Sequence, residues 1–227
     1  NERRMEVTDH VYSLPVTLEL GGNERTFTPT AVETENGLIL FDTTLPGHAD
    51  ALEDALGEHG FGFEDVRFVV LTHHDGDHAG ALATVQERTD DAPTFAHWAE
   101  APYVDGRKFP VKAEDDRYPP ARVDVELLDG VGFSTLAGPL ELVETFGHAP
   151  GHSSFHLPEA DLLIAGDALT AAAGELHGPA EQHTPEMDRA MESVAVLGEL
   201  NFDHTICFHG GYVEAGNERA REIANSE

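Results

Sequence analysis

The chain of 227 residues is long enough for one sizeable core, and α/β folds of this length commonly form one domain. Asp and Glu number 43 against 13 Lys and Arg, a formal charge of −30. A surface this acidic repels phosphate backbones and anionic lipid, so nucleic-acid and membrane partners are not expected. Lysine is reduced to Lys108 and Lys112. That balance suits a protein kept soluble in concentrated salt, where the Debye length falls to ~3 Å and self-repulsion is screened, so a halophilic source is expected.

Cys207 is the sole cysteine. No internal disulfide can form, a reducing cytoplasm is the expected compartment, and within the apolar run "TICF" the residue reads as core. No segment approaches the ~18 consecutive apolar residues of a membrane span. Position 1 is Asn, and Met5 offers a natural start.

In chain order, "HVYSLPVTLEL", "TPTAVET" and "GLILFDT" read as strands, the last entered through the turn signal Asn36-Gly37. "GHADALEDALGEHG" places Ala51, Leu52, Ala55 and Leu56 at helical spacing and stops at Gly57 and Gly60. "VRFVVL" reads as a strand buried on both faces, "AGALATVQER" as a helix and "APTFAHW" as a further strand. Residues 99–120, rich in Pro, Tyr and charge, are too long for a simple connection and are expected to overhang a site. Strands follow at "ARVDVELL", "GPLELVETF", "SSFHLPE" and "DLLIAGD". Thr184-Pro185 then supplies a cap and first-turn proline for a helix whose apolar face is Met187, Ala190, Met191 and Val194, and "HTICF" is the last strand.

Four of these strands end in potential metal ligands. His73, Asp75, Asp77 and His78 follow "FVVLT"; His148 follows "ELVETFG"; Asp167 follows "LLIAG"; His209 follows "TICF". Neutral imidazole and ionised carboxylate are ligands of zinc, iron and manganese, and seven of them suit two ions sharing a bridging carboxylate and a bridging hydroxide. Three carboxylates converging without a cation would repel one another in a partly dry site. The other histidines, His10, His48, His59, His156, His177, His183 and His204, read individually as ordinary surface or packing residues.

The run T-H-x-x-x-D-H-x-G, "GHAPGHS" at 147–153, "AGD" at 165–167 and "HGG" at 209–211 resemble the successive motifs of the metallo-β-lactamase fold superfamily of hydrolases. "APYVDG", "HTPEMDRAMES" and "ICFHGG" are similar to a group of small single-domain members. The resemblance implies an αββα four-layer sandwich: two mixed sheets face to face, helices outside, and ligands on loops at one edge. It also implies that His73 and His148 hold the first metal, that Asp77, His78 and His209 hold the second, and that Asp167 bridges. His152 is left to the loop or to a supporting position, and His74 to a supporting or surface position.

The chain departs from the usual H-x-H-x-D-H at Asp75, which stands where a second histidine is expected. Some branches carry an acidic residue there, including the DNA-uptake nuclease-like members and, as Glu, the flavodiiron oxygen reductases. The exchange raises the ligand charge from −2 to −3 and hardens the first site toward iron or manganese without excluding zinc. Either Asp75 ligates the first metal, or its shorter reach leaves that site weak.

The cofactor expected is two divalent metal ions, zinc foremost. Hydroxide formed from metal-bound water, oriented by Asp77, would attack the carbonyl of a small-molecule ester, thioester, lactone or lactam, with Asp77 also a proton donor to the leaving group. Tyr103 and Tyr212 are candidate hydrogen-bond donors to substrate, and His97 a candidate lining residue. A phosphodiester ranks low, because Arg107, Lys108 and Lys112 alone offer a basic track. The rival from another class is a non-haem iron oxidoreductase; a homodimer is compatible with the sequence.

Overall fold

The computed structural model describes residues 6–113 and 117–226; Met5, the candidate start, lies outside them. In chain order the strands are β1 (Glu6–Thr8), β2 (Val11–Ser13), β3 (Val16–Leu20), β4 (Asn23–Phe27), β5 (Thr30–Thr34), β6 (Gly37–Phe41), β7 (Val66–Leu71), β8 (Thr94–His97), β9 (Val125–Leu127), β10 (Gly132–Thr135), β11 (Gly138–Glu144), β12 (Ser153–Leu157), β13 (Leu162–Gly166), β14 (Thr170–Ala172), β15 (Glu175–His177), β16 (His204–Cys207) and β17 (Gly211–Val213). The helices are α1 (Ala49–Gly57), α2 (Gly76–Ala79), α3 (Leu82–Arg88), α4 (Ala101–Val104), α5 (Met187–Gly198) and α6 (Asn217–Ala224).

Side-chain alternation along the central strands sets the layering. In β6, Leu38 and Leu40 point into a core shared with Leu52 and Leu56 of α1 and with Leu82 and Val85 of α3. Their neighbours Ile39 and Phe41 point the other way, into a core shared with Leu140, Phe155 and Ile164 of the second sheet. In β13 the pattern repeats: Leu162 and Ile164 face the first sheet, while Leu163 and Ala165 pack on Val194, Leu197, Ala220 and Ile223 of α5 and α6. Three cores between four layers make the αββα sandwich. Each large apolar side chain fully buried in them contributes about 1.5–3 kcal/mol.

The first sheet runs β1-β2-β5-β6-β7-β8-β9 and the second β10-β11-β12-β13-β16-β17, with β3-β4 and β14-β15 as separate hairpins. Strands β6 to β9 pair parallel, as do β13 and β16. Parallel neighbours release their carboxyl ends on the same side, so the loops after β6, β7, β13 and β16 gather there, where open α/β sheets place their sites. Among the described residues no helix is long and apolar enough to cross a membrane.

Cys207 is buried in the third core, and burial pushes its thiol pKa up, in keeping with a packing role. β1, β4, β10, β14, β15, β17, α2, α4 and α6 have no counterpart among the elements expected from sequence, and "HTICF" is not the last strand, since β17 follows it. The expected cap at Thr184 is corrected: α5 begins at Met187 after Glu186, without a side-chain cap. The Thr184 hydroxyl instead donates to the Ala180 carbonyl at 2.8 Å.

Candidate metal centre

Strand β7 delivers the densest part of the site. Beyond Leu71 the chain bends at Thr72, is extended at Asp75 and then turns into α2, whose short helix carries Asp77 and His78. The ligand atoms fall into three overlapping sets, each with its atoms within 4.8 Å of one another: His73, Asp75 and His148; Asp77, His78 and His209; and His73, His78 and Asp167. The seven residues selected at the strand ends therefore converge.

Several of the spacings among these residues are those of a coordination shell, although His78 Nε2 and Asp77 Oδ1 stand 4.0 Å apart. His73 Nε2 lies 3.3 Å and His148 Nε2 3.2 Å from Asp75 Oδ2. His209 Nε2 lies 3.2 Å from Asp77 Oδ2. Asp167 Oδ2 is 3.3 Å from both His148 Nε2 and His209 Nε2, and Asp167 Oδ1 is 3.3 Å from His78 Nε2, so this carboxylate faces both halves of the centre. Ligands about 2.0–2.1 Å from a tetrahedral ion stand roughly 3.3–3.4 Å apart. Moreover, His73 Nε2, His78 Nε2 and Asp167 Oδ1 are buried and without a hydrogen-bond partner. Unpaired buried polar atoms are costly, and three converging ones fit a cation.

Hydrogen bonds behind the ligands hold the imidazoles with Nε2 inward. The Thr72 hydroxyl donates to Asp42 Oδ2 at 2.7 Å and so accepts from His73 Nδ1 at 3.0 Å. Asp42 Oδ2 also accepts from His78 Nδ1 at 2.8 Å, and its Oδ1 accepts the Thr72 backbone N–H at 2.8 Å. A buried carboxylate on the far nitrogen of a ligand histidine is the usual way to fix tautomer and ring orientation. Asp42 has φ of 62°, a left-handed conformation that Asp tolerates better than most residues.

His152 supports the bridge: its Nε2 accepts the Asp167 N–H at 2.9 Å, and its Nδ1 pairs with Thr145 Oγ1 at 2.8 Å. Gly166, at φ of 56°, makes room, since a Cβ there would sit 2.7 Å from His152 Nε2.

Electrostatics follow from this packing. Burial, with His78 nearby, keeps His73 well below the ordinary imidazole range. Burial also works against charge on Asp75, yet the neighbouring His73, His148 and Lys112 hold its carboxyl well below the usual range. Burial opposes the proton on His78 too, but Asp167, Asp42 and Asp77 push its pKa well up. At His209 burial is again outweighed, by hydrogen bonds to Asp167 and Asp77, and its pKa rises to about 9. At Asp167 too burial opposes the charge, but His78 and His209 hold the carboxyl well below the usual range, so Asp75 and Asp167 are kept ionised, as a dication displacing the imidazole protons would require.

His74 points away from the centre, as expected from its place beside His73, but it is fully buried. Its Nδ1 pairs closely with Glu100, its ring stacks on Tyr103 at 4.3 Å, and its Nε2 accepts the Val111 N–H at 3.1 Å. Glu100 accepts the backbone N–H groups of His74 and Gly151, at 2.8 and 2.5 Å. Together they tie residues 100–111 to the ligand loops, with Lys112 just beyond against Asp75 and His148, whereas residues 114–116 of the expected overhanging segment lie outside the described residues.

A cleft of about 740 Å³ opens over the centre, lined by Asp75, Asp77, His148, Asp167 and His209 on its floor. Leu20, Phe27 and Leu45 form an apolar wall, with Arg25, Gln182 and His183 as polar members. His97, Tyr103 and Tyr212 are not among the described residues lining this cleft. The structure engages them elsewhere: His97 Nε2 with Glu144 at 2.9 Å, Tyr103 under His74, and the Tyr212 hydroxyl with His204 Nδ1 at 2.8 Å. Asp42, Glu100 and the wall of β3-β4 were not identified from sequence. For Asp42 the signal was present in "GLILFDT", an acidic residue at a strand's carboxyl end.

Comparison with known proteins agrees with this geometry. Residues 28–212 match the family model described as "Metallo-beta-lactamase superfamily". The chain is 29% identical to the "Probable metallo-hydrolase YflN" of Bacillus subtilis, over 84% of this chain and 82% of that protein. It is also 29% identical to a hydroxyacylglutathione hydrolase of Rhizobium meliloti, over 70% of this chain and 58% of that one. Among solved structures, the metallo-beta-lactamase family protein TTHA1429 from Thermus thermophilus superposes with a TM-score of 0.75 at 25% identity, covering 96% of this chain and 79% of that one. The αββα sandwich, the ligand sets at its edge and the match over residues 28–212 place this chain in the metallo-β-lactamase superfamily of metal-binding hydrolases.

Proposed function

We propose that the protein hydrolyses the carbonyl ester, thioester, lactone or lactam of a small molecule at a two-metal centre, zinc foremost. The observation that carries this reading is the pair of ligand sets joined by Asp167 on the floor of a partly apolar cleft. His73, Asp75 and His148 would hold the first ion, Asp77, His78 and His209 the second, with Asp167 shared. Bound there, such ions supply a water ionised near neutral pH and Lewis-acid polarisation of a carbonyl oxygen.

The chain's own groups do the rest. Asp77 reaches the cleft floor with Oδ2 on His209, placed to orient the attacking water, take up its proton and return it to the leaving group. Leu20, Phe27 and Leu45 exclude water on the acyl side, and Arg25 offers a cation to an anionic substituent. Hydroxyacylglutathione hydrolases among the relatives support an acyl substrate.

The test is a panel of esters, thioesters, lactones and lactams given to zinc-loaded, manganese-loaded and chelated protein, beside Asp77→Asn. Hydrolysis that follows metal occupancy and collapses in Asp77→Asn is expected. The hard oxygen donor at Asp75 favours a second reading, an iron oxidoreductase. Iron as the tightly held metal, with oxygen uptake and no hydrolysis, would establish it instead.

A further inference from the structure

Lys112 lies on the 99–120 segment, one residue beyond the Val111 N–H that His74 holds. Its ammonium donates to Asp75 Oδ2 at 2.6 Å and to His148 Nε2 at 2.8 Å, two atoms of the first ligand set. The side chain is partly buried and has been brought to the one place in that set where positive charge is needed.

The hydrogen-bond logic around His148 makes this contact exclusive. The Thr184 hydroxyl donates to the Ala180 carbonyl at 2.8 Å, so it faces His148 Nδ1, 3.3 Å away, as an acceptor. Nδ1 therefore carries the hydrogen, and Nε2 offers a single lone pair. An ammonium has only donors. That lone pair serves either Lys112 or a metal, never both. The two acceptors Asp75 Oδ2 and His148 Nε2, 3.2 Å apart, need a cation between them in either case. Displacement has somewhere to go: Lys112 also borders a recess of about 350 Å³ with Glu181, Gln182 and Thr184, where the Glu181 carboxylate offers a second counter-charge.

We propose that Lys112 is a built-in occupant of the first metal position, so that the second site loads first and the first ion binds only by displacing this ammonium. Among the described residues Lys112 pairs with Asp75 and His148 and not with Asp77, His78 or His209, so the ammonium does not block the second set. The inference rests on the two-metal reading of the centre but not on the identity of the substrate.

The experiment titrates chelator-stripped protein with zinc alone by calorimetry, comparing wild type with Lys112→Met and, as a surface control, Lys108→Met. Wild type is expected to bind two equivalents in a tight and a weak step. Lys112→Met should tighten the weak step about tenfold to a hundredfold, the worth of a charged hydrogen bond no longer displaced. The tight step and the Lys108→Met protein should be unchanged. In wild type, amine acylation mapped by mass spectrometry gives a second readout that needs no variant. Labelling of Lys112 relative to Lys108 should rise severalfold on zinc saturation. Unchanged affinities in Lys112→Met, or zinc-independent labelling, would overturn the proposal. A dead substrate panel with these shifts intact would sink only the hydrolytic reading, and no zinc binding at all would sink the metal centre itself.

Discussion

Asp42 touches no cleft surface, yet the centre depends on it. Replacing it by Asn keeps the size and the tolerance for the left-handed backbone at φ of 62°, which Ala would strain, so the exchange isolates the hydrogen bonding. The amide oxygen can still accept the Thr72 N–H that Oδ1 accepts at 2.8 Å. The amide nitrogen then stands at the position of Oδ2, facing His78 Nδ1–H at 2.8 Å, donor against donor. Relief comes from a His78 that gives up its Nδ1 hydrogen and keeps the one on Nε2, where it points at Asp167 and blocks the lone pair a metal ligand needs.

Loss of a charge-assisted bond costs about 1.5–3 kcal/mol, and about 1 kcal/mol corresponds to a 2–4 °C shift in a protein of this size. The metal-free Asn variant is therefore expected to melt roughly 3–12 °C lower than metal-free wild type. Affinity for the second ion should fall about tenfold to a hundredfold, the usual effect of removing such a supporting group. Differential scanning calorimetry of stripped protein and zinc titration measure the two effects separately. Wild-type zinc affinity in a correctly folded Asp42→Asn protein would refute the argument, because it would mean the His78 tautomer is set elsewhere.

Three further outcomes are expected. Gly166→Ala should destabilise by roughly 2–4 kcal/mol, since its Cβ would meet His152 Nε2 at 2.7 Å at a φ of 56°; urea unfolding checks this. In metal-free protein the His209 pKa, about 9, exceeds the unfolded value of about 6.5. Its stabilising contribution is complete below pH ~6.5 and is lost as pH rises through about 9, so stripped wild type should lose melting temperature across that window, and His209→Gln should lose less. At a net charge of −30, the melting temperature should rise between 0.1 and 2 M KCl, and a salt-independent melt would remove the basis for expecting a halophilic source.

The part of this site legible in the sequence is the part that obeys local rules. His73, His148, Asp167 and His209 each follow an apolar strand, and strands of one open α/β sandwich end at a common edge, so their convergence follows from chain order and topology. What escaped is held by partners remote in sequence. Asp42 acts on His78 across 36 positions, Glu100 on Gly151 across 51, and Lys112 on His148 across 36. None of these pairs leaves a periodicity or a spacing to read, although Asp42 itself ends the apolar run "GLILFD" as the ligands end theirs. The misplacement of Thr184 has the same origin. Thr-Pro before an apolar helical face is a sound local signal for a cap, but the Thr184 hydroxyl is taken by Ala180 and His148, and the helix starts later, at Met187. Tyr103, Tyr212 and His97 fail as cleft residues for a related reason: each is an aromatic near a strand or helix end whose partner, His74, His204 or Glu144, only the packed layers reveal. A ligand shell is written along the strands, whereas the groups that support it, such as Asp42 behind His78 and Lys112 beside Asp75 and His148, are written between them.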